Sequence, residues 1–370
     1  NVAEESFVKN NLKWMNMFKI RYSHGKVGND NIGGERFFYE SRWGGGGDAK
    51  FGINKGGTGN GGGLKEVRNG NPGLTWETAH KFNFGFDSRW FNNRFEWTTD
   101  VFYEKRTNIL TNIDIVPATY GGPAITANAG KVENKGIELD GTWHERLNKN
   151  FDYFVGGMFS FARNKILERP ETPRAYPYLQ QVGYRVGQAR GFIAEGLFQS
   201  EEEIRNYPVN LDGNNNRTLL PGDFIYKDVN GDGIINGMDE RPIGYPEGWA
   251  PIMSFGGNIG LAWKGIDLNI DLSGGAMQGW RQNYELANAY HGNGNSPVYL
   301  LEDRWHRADL YDPESEWIPG RYPAIRKGEF SYNNKNSDFW LHNVRYLRIK
   351  NLEVGYSLPA QLLRPIRAQK

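Results

Sequence analysis

The sequence predicts an all-β fold: a transmembrane antiparallel β-barrel, or part of one, with long extracellular loops. Three observations carry this. Apolar and polar residues alternate with period two in segment after segment. The segments run to about ten residues, the length a tilted strand needs to cross the hydrocarbon layer. Short turns alternate with long irregular connections, as in barrels of the outer membrane. Composition agrees: 370 residues, 38% hydrophobic, 14% aromatic and 48 Gly suit many strands joined by Gly-rich turns better than a helical core. A net charge of +1 implies no polyanion partner, so no nucleic acid. The absence of Cys excludes a disulfide scaffold and a cysteine zinc site. No run of about 18 apolar residues offers a membrane helix. The chain opens NVAEESFVKN, without Met and without an apolar signal region, and reads as a mature product or a piece of something longer.

Each strand shows its two faces. In KFNFGFDSRW, Phe82, Phe84 and Phe86 oppose Asn83, Asp87 and Arg89; in the following RFEWTTDVFY, Phe95, Trp97, Val101 and Tyr103 oppose Glu96 and Asp100. FNN between them reads as a hairpin turn. Ile137, Leu139 and Trp143 oppose Glu138, Asp140 and His144. Phe151, Tyr153, Val155, Phe159 and Phe161 share one side of the next segment. Phe255, Ile259 and Leu261 oppose Asn258, and Leu268, Ile270 and Leu272 oppose Asn269 and Asp271. YLRIKNLEVGYSL alternates with a phase slip near Lys350 and Asn351, which reads as a β-bulge. Roughly ten strand candidates emerge. FNN and HERLNKN read as short turns; Gly44 to Leu74, Arg169 to Gly183, Phe198 to Pro251 and Trp280 to Asn343 read as long connections. Aromatics at strand ends (Trp90, Phe91, Trp143, Trp263) fit membrane-surface girdles. A soluble β-sandwich, burying the same apolar faces against a second sheet, is the alternative.

The chemistry-bearing stretch is KDVNGDGIINGMDERPIG. Asp228, Asn230 and Asp232 take positions 1, 3 and 5 of a calcium-type loop, Gly233 the sharp turn, Ile234 a backbone carbonyl, and Asp239 the last carboxylate. The spacing suits a structural Ca²⁺ or Mg²⁺; an Asx-turn loop without metal explains the same residues. Asp239 stands where a bidentate Glu is usual, and no helix pair flanks the loop, which excludes an EF-hand sensor. Ile235 would anchor the loop to its neighbour. GGTGNGGG, 56–63, contains a formal G-x-G-x-x-G with no strand before it and no helix after it, so a surface loop is the better reading. SEEEI at Ser200 reads as a helix cap. Trp249, Trp280, Tyr284 and Tyr290 lie in or beside long loops and could contact substrate or partner, or anchor the loops. The six His are scattered, no catalytic constellation stands out, and no organic cofactor is implied.

Several segments resemble the SusC/RagA family of TonB-dependent outer-membrane transporters of the Bacteroidetes, in the C-terminal part of the barrel. They are MFKIRYSHGKVGND; NPGLTWETAHKFNFGFDSRW with its following strand; NAGKVENKGIEL with Asn128, Gly130, Asn134, Gly136 and Glu138; AEGLFQSEEEI; PGDFIYKDVNGDGIINGMDERPIG; and YLRIKNLEVGYSLP. The resemblance covers nearly the whole chain, 1–370, with 198–251 as a long extracellular loop. It implies a barrel of 22 strands around a plug, uptake of oligosaccharides or peptides driven by TonB, a SusD-like surface lipoprotein, contact with outer-membrane lipid, and pairing of two transporter–lipoprotein units. No plug and no TonB-binding segment is recognisable here, so a fragment of a longer importer is expected, with TonB engaged by a region outside it. On that reading Asn83, Asp87, Arg89, Glu96, Asp100, Glu138, Asp140, Asn258, Asn269 and Asp271 line a hydrated lumen. A calcium-dependent adhesin or glycan-binding β-protein is the competing class.

Overall fold

The computed structural model of the chain describes residues 2–31, 36–48, 62–248, 250–326 and 330–359. Eight long strands form one sheet: β1 Met15–Asn29, β2 Glu77–Trp90, β3 Phe95–Ile113, β4 Ile125–Asn148, β5 Phe151–Glu168, β6 Met253–Trp263, β7 Ile266–Arg281 and β8 Leu341–Tyr356. Each pairs antiparallel with the next in sequence, giving an unbroken meander with β1 and β8 at its edges.

The turns at one end are tight. Phe91, Asn92 and Asn93 adopt positive φ between β2 and β3, and Lys264 and Gly265 do so between β6 and β7. Positive φ at both central residues matches the twist of the flanking strands. Between β4 and β5 only Lys149 and Asn150 turn, with Asn150 N donating to Asn148 Oδ1 at 2.9 Å. HERLN therefore belongs to β4, a correction to the sequence reading. At the opposite end the connections are long, and the one after β1 carries a hairpin of its own, Arg42–Asp48 with Gly62–Arg68. Residues 56–61 of the glycine-rich stretch lie outside the described residues.

The strands also differ from expectation in number and length. The sheet has eight among the described residues, and they run from 11 residues in β6 to 24 in β4. Ladder hydrogen bonds need no apolar side chain, so the strands continue past their apolar stretches into polar sequence.

Register sorts the side chains into two faces. Ile20, Phe86, Thr99, Leu139, Phe159 and Phe255 form one cross-strand row; Tyr22, Phe84, Val101, Ile137 and Phe161 form the next. This face is uncovered: Phe84 is 52% exposed and Val354 73%. An apolar sheet face open along its length belongs against lipid. The phase slip in β8 is a bulge. Leu272 pairs with Ile349 and Asp271 with Asn351, leaving Lys350 extra, so Leu352 and Val354 return to the apolar face.

The buried apolar cluster of the described residues lies outside the sheet. Phe198, Leu211, Phe224 and Tyr226 from the β5–β6 connection pack with Tyr332 and Trp340 from the β7–β8 connection. Tyr332 Oη donates to the Phe224 carbonyl at 2.6 Å, Tyr226 Oη to the Tyr332 carbonyl at 3.1 Å, and Trp340 Nε1 to the Asn333 carbonyl at 2.9 Å. Fully buried Asp223 accepts from Leu220 N at 2.7 Å, Asn333 Nδ2 at 2.8 Å and the Arg326 guanidinium. Two connections over a hundred residues apart thus form one small folded unit at the long-loop end.

Candidate functional site

The polar face of the sheet is concave. It borders a groove of about 990 Å³ whose walls include Asp100, Glu138, Asp140, Asn258 and Asp271. Glycine makes room for these groups. A Cβ at Gly85 would stand 2.5 Å from Asp100 Oδ1, and one at Gly156 only 1.9 Å from Asn258 Oδ1. At these two glycines the missing side chain leaves room for a polar group of a neighbouring strand.

The ten polar residues picked out by alternation all fall on this face. Asn258 is cross-strand to Asp271, and Asn269 to Gly260. Arg89 Nε lies 3.2 Å from Glu96 Oε1. Asn83 is cross-strand to Ser23 and Phe102, and Glu138 to Asp100. Asp87 and Asp100 share a partner that sequence reasoning passed over. Arg21 on β1 donates from Nε to Asp87 at 3.0 Å and from Nη1 and Nη2 to Asp100 at 2.9 and 2.7 Å. The signal was available, because Arg21 shares its phase with Lys19 and Ser23, opposite Phe18, Ile20 and Tyr22. Its reach across β2 to β3 was not, since that needs the register and the gap at Gly85.

The loop Asp228–Asp239 is closed by its own hydrogen bonds. Asp228 accepts from Gly231 N at 2.7 Å and Gly233 N at 2.8 Å, and Ile234 N donates to Asp232 Oδ1 at 2.9 Å. Asn230 Nδ2 donates to Asp232 Oδ2 at 2.8 Å. Gly231 and Gly233 supply the positive φ of 74° and 80° that these turns need. Asp239 is fully buried and spends its two oxygens on Val229 N, 2.9 Å, and Asn236 N, 2.8 Å. It therefore braces the loop from inside. Among the described residues no three acidic or His side chains gather into a metal-binding group. The more exposed oxygens of the predicted set are those of Asp228, Asn230 and Asp232 with the Ile234 carbonyl, and Asp239 is the buried one. Ile235 is buried in the loop core, and its N donates to the Asn210 carbonyl at 3.0 Å.

Ser200 caps the helix Glu201–Asn206 by accepting from Glu203 N at 3.1 Å. Trp280 ends β7 and stacks on His342 at 5.6 Å. Tyr284 and Tyr290 are exposed, both at positive φ, with Tyr284 packed on His291. Trp249 lies outside the described residues.

An exposed apolar outside, a polar concave inside and tight turns at one end describe a barrel wall. Residues 22–359 match the family model described as TonB dependent receptor-like, beta-barrel. The chain belongs to this family. TonB-dependent receptor P3 of Formosa agariphila is 27% identical over 98% of this chain and 34% of its own length. TonB-dependent receptor SusC of Bacteroides thetaiotaomicron is 21% identical over 78% of this chain and 26% of its own. The fold matches the RagAB peptide transporter with a TM-score of 0.65 at 21% identity, over 96% of this chain and 36% of that one. The chain thus spans about a third of the length of the curated relatives it matches. As a TonB-dependent receptor-like β-barrel it is an outer-membrane protein. The eight strands are a stretch of that barrel's wall, and the folded unit of Phe198, Phe224 and Trp340 stands at one of its rims.

Proposed function

We propose that this chain is part of the wall of a SusC-type importer. Oligosaccharides or peptides pass along its inner face, driven by TonB acting through a region outside these residues. Its work is transport, with no covalent step. The observation that carries the reading is the polar concave face, continuous from Arg21 to Asp271, inside a sheet whose other face is apolar and uncovered. Closed into a barrel, of 22 strands in the reading adopted here, this face lines a hydrated path. The folded loop unit, built around Phe198, Phe224, Tyr332 and Trp340, then lies outside the cell. There it offers Tyr284 and Tyr290, with Trp280 at the end of β7, to substrate or to a SusD-like lipoprotein. Two such pairs associating completes the proposal. A structural Ca²⁺ or Mg²⁺ on Asp228, Asn230, Asp232 and the Ile234 carbonyl, with Asp239 bracing the loop from inside, is supported by the oxygen set and its spacing.

The test uses the full-length protein in its host. Asp140→Arg with Asn258→Arg places two bulky cations in the groove. Uptake of labelled oligosaccharides and peptides should fall at least about tenfold for one of these classes, with the protein still in the outer membrane. Unchanged uptake of every class whose import depends on the gene would overturn the reading.

A further inference from the structure

The outer face changes character abruptly toward the long-loop end. Along β5 the outward residues are Phe151, Tyr153, Val155, Phe159 and Phe161, and then Arg163 and Lys165. From Phe151 to Phe161 the strand covers roughly 35 Å at about 3.3 Å per residue. Tilted as barrel strands are, that gives an apolar band about 25 Å tall. Neighbouring strands change at the same rows. Arg163 is cross-strand to Lys135, and Lys135 to Tyr103; one row on, Lys165, Glu133, Lys105, His80 and Lys26 follow one another across β5 to β1.

The belt is strongly one-signed. Lys26, Lys105, Lys135, Arg163 and Lys165 are exposed, and none forms an ion pair with a described residue. Its acid is Glu133, which accepts from Tyr103 Oη at 3.4 Å. Arg185, from the β5–β6 connection, lies close enough to Arg163 for the two like charges to interact. The short-turn end is built differently. There Trp14 stacks on Trp90 at 4.8 Å, Phe95 packs with Trp143, and Trp263 is exposed. Aromatic rings suit any headgroup interface. Five cations to one carboxylate, Glu133, directly above an apolar band suit a densely anionic one.

We propose that this belt binds phosphate-bearing lipid headgroups of the leaflet on the long-loop side, with Lys135, Arg163 and Lys165 at its centre. The acyl chains would lie along Phe159, Phe161 and Ile137 while the phosphates meet the cations, a pairing that adds Coulomb attraction to apolar contact. The belt needs only the lipid-facing outside of the barrel, so transport stands or falls separately.

Native mass spectrometry of the full-length protein, extracted gently from its own membrane, tests this. The wild type should retain phosphorylated glycolipid. Lys135→Gln/Arg163→Gln/Lys165→Gln should lose at least about tenfold of it. A control with three cations removed elsewhere, Lys19→Gln/Lys81→Gln/Lys227→Gln, should keep it. Heat-modifiable gel migration verifies that each barrel is folded. Re-addition of lipid A, enzymatically dephosphorylated lipid A or inorganic phosphate separates the sources, and only the first should restore the adduct. Equal retention by the triple variant, equal rebinding of dephosphorylated lipid, or displacement of the lipid by millimolar inorganic phosphate would overturn the proposal.

Discussion

Arg21 Nη2 lies 2.7 Å from Asp100 Oδ2, although their strands are not neighbours. The guanidinium crosses β2 at Gly85 and holds Asp87 on the way, at 3.0 Å. One cation thus ties three strands together on the inner face.

That tie is only partly desolvated, with the Arg21 side chain 35% exposed, so its contribution is modest. Arg21→Met should cost about 1 kcal/mol, read as a shift in the urea midpoint of refolding into detergent or lipid. Most of the cost comes from leaving two carboxylates facing each other. Arg21→Met/Asp100→Asn should therefore recover part of it. A double variant losing the sum of the two single losses would show that the residues do not interact.

Gly85 is the condition for that crossing. Gly85→Val would push atoms into the space held by Asp100 and Arg21. It should destabilise the barrel by about 1–3 kcal/mol, more than Arg21→Met does. Equal or smaller loss would mean that the guanidinium route is not set by this gap.

The loop core should unfold without the sheet. Trp340→Ala removes a buried ring, for a cost of about 3–5 kcal/mol. Hydrogen exchange should then rise across 192–243 and 330–340 while β2 to β5 stay protected. Uniform loss of protection would show one cooperative unit instead of two.

The acidic loop separates its two kinds of carboxylate. Ca²⁺ should slow proteolysis within 228–239 in the wild type, and Asp228→Ala should abolish that protection. Asp239→Ala should expose the loop with or without Ca²⁺, because it removes an internal staple from two part-buried amides. Cleavage of the wild type at one rate in Ca²⁺ and in chelator would leave the loop as a metal-free turn.

Lys335 gives the loop core a pH dependence. Its ammonium lies 4.7 Å from the Tyr332 ring and 5.0 Å from that of Phe192, and burial lowers its pKa from the ordinary value. The folded state therefore gives up the proton first. Between the folded pKa and about 10.4 the unfolded chain binds more protons, so stability rises with pH across that window. Buried Tyr226 and Tyr332 act oppositely above about pH 10, since burial raises their phenols and only the unfolded chain ionises there. Thermal melts taken at rising pH up to about 10 should show the rise in wild type and a flatter line in Lys335→Gln. Parallel lines would assign the slope to other groups.

Much of the wall was legible in the sequence. Period-two alternation needs no tertiary knowledge, because a pleated strand sends successive side chains to opposite faces. It sorted Phe84 from Asp87 and located the slip at Lys350. Strand ends were less legible: HERLN reads as a polar turn, yet pairing with β5 carries it as strand. Arg21 was visible only as a polar residue in phase.

The sequence by itself determined which side chains share a face and placed the FNN turn, since these depend on neighbours two or three residues apart. It also determined the family, through motifs spread along the chain. The tertiary structure alone decided what those faces meet. The Arg21–Asp100 tie depends on register across three strands. The loop core depends on Phe224 meeting Trp340 from a different connection. The cationic belt depends on five strands changing character at the same rows. Such juxtapositions arise from pairing between residues remote in sequence, and no local pattern encodes them.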